Sequence, residues 1–262
     1  MPFAELSNGT FHYKLVGQGP PVVFISGYTG DHSLWLRIAD QMKENFQMLL
    51  FDNQGIGLTK DKGKPLSVEM MADDVIELAD SLKLKNPHIV GQSMGGTIVQ
   101  NIGARYGKKV GELAILASSA KWRYSMILAV KSILNLIKNG SDFDTVFEVS
   151  TPWFFGDEFL EDESRVQQLK ETMKNNPNPQ SLINMDRQFK ALEQFDGRKA
   201  LPSIHNPTLV LFANEDVIAL PQESAFLASK IPNSKLEECH CGHSMNLEIP
   251  DQIAEILLHF LP

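Results

Sequence analysis

The sequence predicts an α/β protein built on a doubly wound, mostly parallel sheet, with an all-helical cap inserted into it. Three observations carry this reading. Short apolar runs that do not alternate with polar residues recur along the chain, as in strands buried on both faces. Longer segments with helical spacing lie between them, the βαβ order of a parallel sheet. The alternation then breaks between about 119 and 203, where only helical patterns are found.

The strand runs are Val22-Val23-Phe24-Ile25, Met48-Leu49-Leu50-Phe51, His88-Ile89-Val90, Leu113-Ala114-Ile115-Leu116 and Thr208-Leu209-Val210-Leu211-Phe212. A further strand is placed at about 234–239. Residues 67–84 set Met70 or Met71, Val75, Leu78 and Leu82 on one helical stripe, with Ser67 as N-cap. Residues 250–261 repeat the pattern with Ile253, Ile256, Leu257 and Phe260, after Pro250 in the first turn.

Within 119–203, residues 123–138 carry Ile127, Val130, Leu134 and Ile137 and stop at Asn139-Gly140. Asp142 caps a second helix. Residues 162–175 carry Val166, Leu169 and Met173. Asn178-Pro179 reads as a helix start before Leu182, Met185, Phe189 and Leu192, and Asp196-Gly197 as a turn. A crossover needs about a dozen residues, so this stretch is an insertion. The expected organisation is a core of residues 1–118 and 204–262, with 119–203 as a cap over the strand ends where ligands bind.

Composition narrows the function. With 262 residues the chain can bury a sizeable core. Its net charge of −8 argues against nucleic acid as partner, since phosphate neutralisation needs a basic surface. No run of about 18 apolar residues is present, and the N-terminus lacks the signal-peptide pattern, so a cytoplasmic protein with no membrane span is expected. The two cysteines, Cys239 and Cys241, are one residue apart, a spacing that disfavours a disulfide between them.

The chemistry concentrates at Gly91-Gln92-Ser93-Met94-Gly95-Gly96. This is G-x-S-x-G between a strand and a helix, the context in which the serine is lifted above the sheet edge on a strained turn. Small residues at 91, 95 and 96 let the strand and helix backbones approach. A serine hydroxyl is a poor nucleophile without a base, and the base needs an orienting acid. Beyond the strand at 207–213 stand Glu215 and Asp216, and beyond the next strand stands His243. Ser93, an acid at 215 or 216 and His243 follow the Ser…Asp…His order of this scaffold.

With Ser26-Gly27-Tyr28, Asp52-Asn53-Gln54-Gly55-Ile56-Gly57-Leu58-Thr59, the elbow, Asn214–Pro221 and Gly242-His243 in view, the whole chain resembles the α/β-hydrolase fold family. The likeness is to its helical-cap branch of small esterases, lactonases and carbon–carbon bond hydrolases. The resemblance implies Ser93 as nucleophile, His243 as base and Asp216 as acid, since the family's acid sits three residues after the small residue at the strand end. It also implies an oxyanion hole made by the backbone N–H groups of Tyr28 and Met94. Three positions depart from the family pattern: Ser26 replaces the usual His, Gln54 the usual Arg, and Ala213 a frequent Gly. Serine at the elbow excludes haloalkane dehalogenases and epoxide hydrolases, which carry aspartate there. Ser244 stands where carbon–carbon hydrolases often carry Trp.

The expected activity is hydrolysis of a small-to-medium carboxylic ester or lactone through an acyl-enzyme, with no cofactor and no metal. Carbon–carbon hydrolysis and cofactor-free perhydrolysis on the same triad are alternatives, as is a ligand-receptor or signalling role on the hydrolase scaffold. Trp122, Trp153, Phe154 and Phe155 are candidate substrate-binding residues of the cap. Arg123 and Arg187 read as solvated cap residues, His32 as a solvated loop residue and His240 as structural. Cys239, His240, Cys241 and His243 match no zinc spacing.

Overall fold

Neighbouring side chains of a strand point to opposite faces. Val23 and Ile25 therefore enter one apolar cluster while Val22 and Phe24 enter another, and all four are fully buried. The same division holds for Leu49 and Phe51 against Met48 and Leu50. This is why the runs show no alternation: both faces of the sheet are dry.

The computed structural model of the protein describes residues 2–262. One sheet contains β1 (Phe3–Leu6), β2 (Gly9–Val16), β3 (Pro21–Ile25), β4 (Gln47–Phe51), β5 (Lys60–Asp61), β6 (His88–Gln92), β7 (Leu113–Leu116), β8 (Thr208–Ala213) and β9 (Ser234–Cys239). Their order is β1-β2-β4-β3-β6-β7-β8-β9, with β5 paired to β2. From β4 to β9 neighbouring strands are parallel, and β1, β2 and β5 add an antiparallel flank. The edge strand β9 carries Lys235, Glu237 and Glu238, which discourage pairing with a further chain.

Helices cover both faces. α1 (Leu36–Met42) contributes Ile38, Ala39 and Met42 to the cluster of Val22 and Phe24. α2 (Val68–Ser81) and α3 (Met94–Tyr106) cover the other face through Val75, Leu78, Ile98 and Ile102. Ser67 caps α2, its hydroxyl accepting the Met70 N–H at 3.1 Å. From β3 the chain winds through α1 to β4 on one side, and from β4 through α2 to β6 on the other. The winding reverses between β3 and β6, so a crevice opens at their carboxyl ends.

Between β7 and β8 stand only helices: α4 (Tyr124–Lys138), α5 (Phe143–Phe154), α6 (Asp157–Glu161), α7 (Glu163–Lys174) and α8 (Leu182–Gln194). Asp142 caps α5 by accepting the Thr145 N–H at 2.9 Å. Two expectations are corrected. α8 begins at Leu182 and not at Pro179, because Ser181 is the residue whose hydroxyl accepts the Asn184 N–H. The Val166, Leu169 and Met173 stripe does lie on a helix, but α7 has no buried residue and Met173 is 50% exposed. Three apolar residues among nine polar ones are too few to make that helix a core element. After β8 come α9 (Pro221–Lys230), α10 (Met245–Glu248) and α11 (Pro250–Phe260), the last packing against α1. No helix among the described residues is long and apolar enough to cross a membrane.

A buried polar knot ties the antiparallel flank to the parallel sheet. The Asp52 carboxylate, just after β4, lies 2.8 Å from His12 Nδ1 on β2 and 2.7 Å from His32 Nδ1. It also accepts the N–H groups of His32 (2.9 Å) and Leu58 (3.0 Å). His32 is thus a partnered residue of this knot and not a solvated loop residue. Burial alone would raise the Asp52 pKa, but the hydrogen bonds from His32 and Leu58 outweigh it and hold the carboxyl below its usual range. The bond to Asp52 raises His32 above the ordinary imidazole value. A raised histidine stabilises the fold fully below its unfolded pKa of about 6.5, and the gain is lost as pH climbs through the folded value. His32→Gln is therefore expected to lower the thermal midpoint by a few degrees at pH 6 and by clearly less at pH 9. A gap independent of pH would remove the His32–Asp52 charge from this account.

Candidate active site

β6 ends at Gln92, and Ser93 takes φ +57° and ψ −118° before α3 begins at Met94. A positive φ is costly for a residue with a side chain and persists only where the surroundings over-determine it. Here the Ser93 N–H donates to Leu116 O (2.9 Å), and its carbonyl accepts from Ser118 Oγ (2.8 Å) and Gly96 N–H (2.9 Å). The glycines are required by close approach. A Cβ on Gly91 would collide with Gly95 O, one on Gly95 with Ile25 O, and one on Gly96 would lie 2.5 Å from Ser118 Cβ.

The turn brings Ser93 Oγ to 2.8 Å from His243 Nε2. On the other side of the ring, His243 Nδ1 lies 2.8 Å from Asp216 Oδ2. Asp216 Oδ1 accepts the N–H groups of Ile218 (2.7 Å) and Ala219 (2.9 Å), so the carboxylate is fully engaged. The His243 carbonyl accepts from Gln92 Nε2 at 2.7 Å, which ties its loop back to β6. All three side chains are buried, with Ser93 8% exposed. Glu215, the neighbouring acid, turns away, and its carboxylate accepts the Asp157 N–H. The structure thus brings Ser93, His243 and Asp216 into one hydrogen-bonded chain and leaves Glu215 outside it.

The loop after β3 lies against the elbow: a Cβ on Gly27 would be 3.1 Å from Ser93 Cβ. Tyr28 follows directly, and Met94 is the first residue of α3. Ser26 fixes this loop. Its hydroxyl donates to Asp31 O (2.8 Å) and accepts from Trp35 Nε1 (3.0 Å). Thr29 adopts φ +63°, and its N–H donates to Gln188 Oε1 on α8. Gln54 lies against the buried Asp74 carboxylate, which burial raises above the usual range.

The aromatic candidates separate. Phe154 lies beside the site, its ring centroid 5.9 Å from that of His243. Phe155 stacks on Phe159 at 4.4 Å, Trp122 is buried, and Trp153 is 40% exposed. One side chain that the sequence reading placed only on a helical stripe reaches the loop after β3. Phe189 packs near Tyr28 at 6.4 Å, and burial, with Asp186, raises the Tyr28 phenol well above its ordinary pKa. Arg187 is not a solvated residue: its side chain is 11% exposed and pairs with Asp61, while the more open Arg123 donates to Val217 O.

Cys239, His240, Cys241 and His243 do not converge on a metal: His240 lies against Asn214, while His243 serves Ser93 and Asp216. Both thiols are free and buried, and burial raises Cys239 to about 11. Among the described residues, His12, His32 and Asp52 do place ligand-type atoms within 4.8 Å of one another. Both imidazoles already lie at hydrogen-bond distance from the carboxylate, which is the arrangement of a closed polar knot.

Comparisons with known proteins agree with this fold. The chain is 24% identical over 263 residues to a protein named as carbamate hydrolase RutD from Azorhizobium caulinodans, covering 99% of this chain and 98% of that protein. It is 23% identical to 3-oxoadipate enol-lactonase 1 of Acinetobacter baylyi, over 92% of this chain and 88% of the relative. The crystal structure of the enol-lactonase from Burkholderia xenovorans shares the fold, with a TM-score of 0.88 at 21% identity and 99% coverage of both chains. The family model described as alpha/beta hydrolase fold matches residues 20–250. With its doubly wound sheet and the strained turn at the reversal of the winding, this chain belongs to that family.

Proposed function

We propose that this chain is a serine hydrolase that cleaves a small-to-medium carboxylic ester or lactone through an acyl-enzyme. The observation that carries the reading is the buried Ser93–His243–Asp216 chain at the elbow, with both contacts at 2.8 Å. Ser93 Oγ attacks the acyl carbon while His243 Nε2 takes its proton. The imidazolium then gives that proton to the leaving alkoxide, and water, activated by the same ring, hydrolyses the ester on Ser93. Asp216 holds the ring with Nδ1 toward it and stabilises the imidazolium. The Tyr28 and Met94 amides receive the developing oxyanion. Loss of one such donor costs about 3–4 kcal/mol in other enzymes.

The named relatives support acyl-transfer hydrolysis, and a carbamate is attacked by the same machinery at the same kind of carbon. The ester or lactone reading is preferred because the ring closest to the base is the apolar Phe154. In this reading residues 119–203 act as a cap over a core of 1–118 and 204–262. Apolar roofs discriminate in graded steps, about 1–3 kcal/mol per methylene.

A fluorophosphonate probe is expected to label Ser93, and Ser93→Ala to abolish labelling and ester turnover while the circular dichroism spectrum is retained. Labelling that persists in the alanine variant would reject the nucleophile. Asp216→Asn is expected to lose about 10⁴ in kcat, as the matching change does in a serine protease, and Glu215→Gln far less. The opposite ranking would transfer the acid's role to Glu215. Across p-nitrophenyl esters, chains of about two to eight acyl carbons are expected to turn over faster than longer ones. Phe154→Ala should shift that profile toward longer chains without loss of Ser93 labelling, and an unchanged profile would exclude Phe154 from the acyl pocket.

A further inference from the structure

Two carboxylates beside the site take no part in the chemistry above. Glu248 lies in α10, only five residues after His243, and is buried. Its Oε2 accepts two backbone N–H groups from different parts of the chain: Gly242, immediately before His243, and Gly156, between α5 and α6, each at 2.9 Å. Glu215, immediately before Asp216, accepts the Asp157 N–H through its Oε2 at 2.7 Å.

Backbone contacts run in parallel with these. The Ser244 N–H donates to Phe154 O at 2.9 Å, and the Glu215 N–H donates to Cys241 O at 3.2 Å. Arg165 of α7 donates to the Glu248 carbonyl at 2.7 Å. The two glycines meet backbone to backbone. A Cβ on Gly242 would run into Gly156 N, and one on Gly156 would lie 2.8 Å from Gly242 N and 2.7 Å from Glu215 Oε2. The segment 154–157 is therefore joined to the loop of the base and to the loop of the acid at once. It also carries Phe154, the ring beside His243.

A buried carboxylate is costly unless its hydrogen bonds repay the lost hydration. Glu248 has one oxygen shared by two amides and the other, Oε1, buried with no hydrogen-bond partner among the described residues. Burial raises its pKa against the pull of both amides. An ionised acceptor makes shorter and stronger bonds to N–H than a neutral one, which suits a joint between two segments that no strand or helix pairs.

Resting on the hydrolase reading above, we propose that Glu248 is a positioning residue. It registers the His243 loop on segment 154–157, so that the imidazole meets Ser93 and Asp216 only while the helical insertion is docked. Glu215 makes the matching joint on the acid's side. Docking of the insertion and competence of the base are then one event.

The test combines amide exchange with kinetics on p-nitrophenyl acetate, for the full chain and three variants. Glu248→Ala is expected to speed exchange at Gly156 and Gly242 by about tenfold or more. It should lower kcat by a similar factor while KM stays within about twofold. Glu248→Gln keeps an oxygen able to accept both N–H groups, and should recover most of kcat and of the protection. Gly156→Ala, which leaves Glu248 in place and wedges the joint apart, should reproduce the faster exchange at Gly242 and the fall in kcat. This variant carries the test if Glu248→Ala does not fold.

Unchanged exchange in a folded Glu248→Ala would overturn the joint. Faster exchange with wild-type kcat would overturn its role in positioning, as would a loss confined to KM. A wild-type chain without Ser93-dependent turnover would sink the hydrolase reading together with this proposal. Ser93-dependent turnover that ignores Glu248 and Gly156 would sink this proposal alone.

Discussion

At the end of β6 three backbones meet with no side chain between them. Gly91 faces the carbonyl of Gly95, and Gly95 in turn faces the carbonyl of Ile25 at the end of β3. That contact forces α3 to start at once, which leaves Ser93 in a conformation a serine would not choose by itself. The loop bearing Tyr28 rests against the elbow, and His243 Nε2 lies 2.8 Å from the Ser93 hydroxyl. Every other part of the site is arranged around a hydroxyl whose place is decided by close backbone packing and not by its own hydrogen bonds.

The buried acids divide the labour around that hydroxyl. Asp216 spends one oxygen on the imidazole and the other on two amides, so its loop and its charge are held together. Asp52 does similar work for the loop after β3, gathering His12, His32 and Leu58 below it. Ser26 sits between Trp35 and the Asp31 carbonyl and bonds to both. The loop is thereby closed by its own small hydroxyl. Carboxylates at two loop ends thus stand in for the regular pairing that loops lack.

Much of this was legible in the residues. The elbow could be read because a strand, a tight glycine turn and a helix each leave a local mark, and because G-x-S-x-G has a mechanical reason. His243 and the acid followed from their places beyond strand ends. Sequence could not by itself separate Asp216 from Glu215, since adjacent residues share a loop and differ only in which way they turn. Glu248 was invisible for another reason: it acts on Gly156, 92 residues earlier, through a backbone group that leaves no trace in residue type. Trp153, Phe154 and Phe155 were alike as a run. Only packing assigns one ring to His243, one to Phe159 and one partly to solvent. The start of α8 was misplaced because Pro179 and Ser181 are both good opening residues, and the serine's cap bond wins.

The distance along the chain between Ser93 and His243 has a consequence during synthesis. The two lie 150 residues apart. At about 5–20 residues per second, roughly eight to thirty seconds separate the synthesis of the elbow from that of His243. Through that interval the Ser93 hydroxyl is without its partner at His243 Nε2. The hydrogen-bonded chain from Ser93 through His243 to Asp216 can close only once the segment after β9 has been made and has folded back to the end of β6.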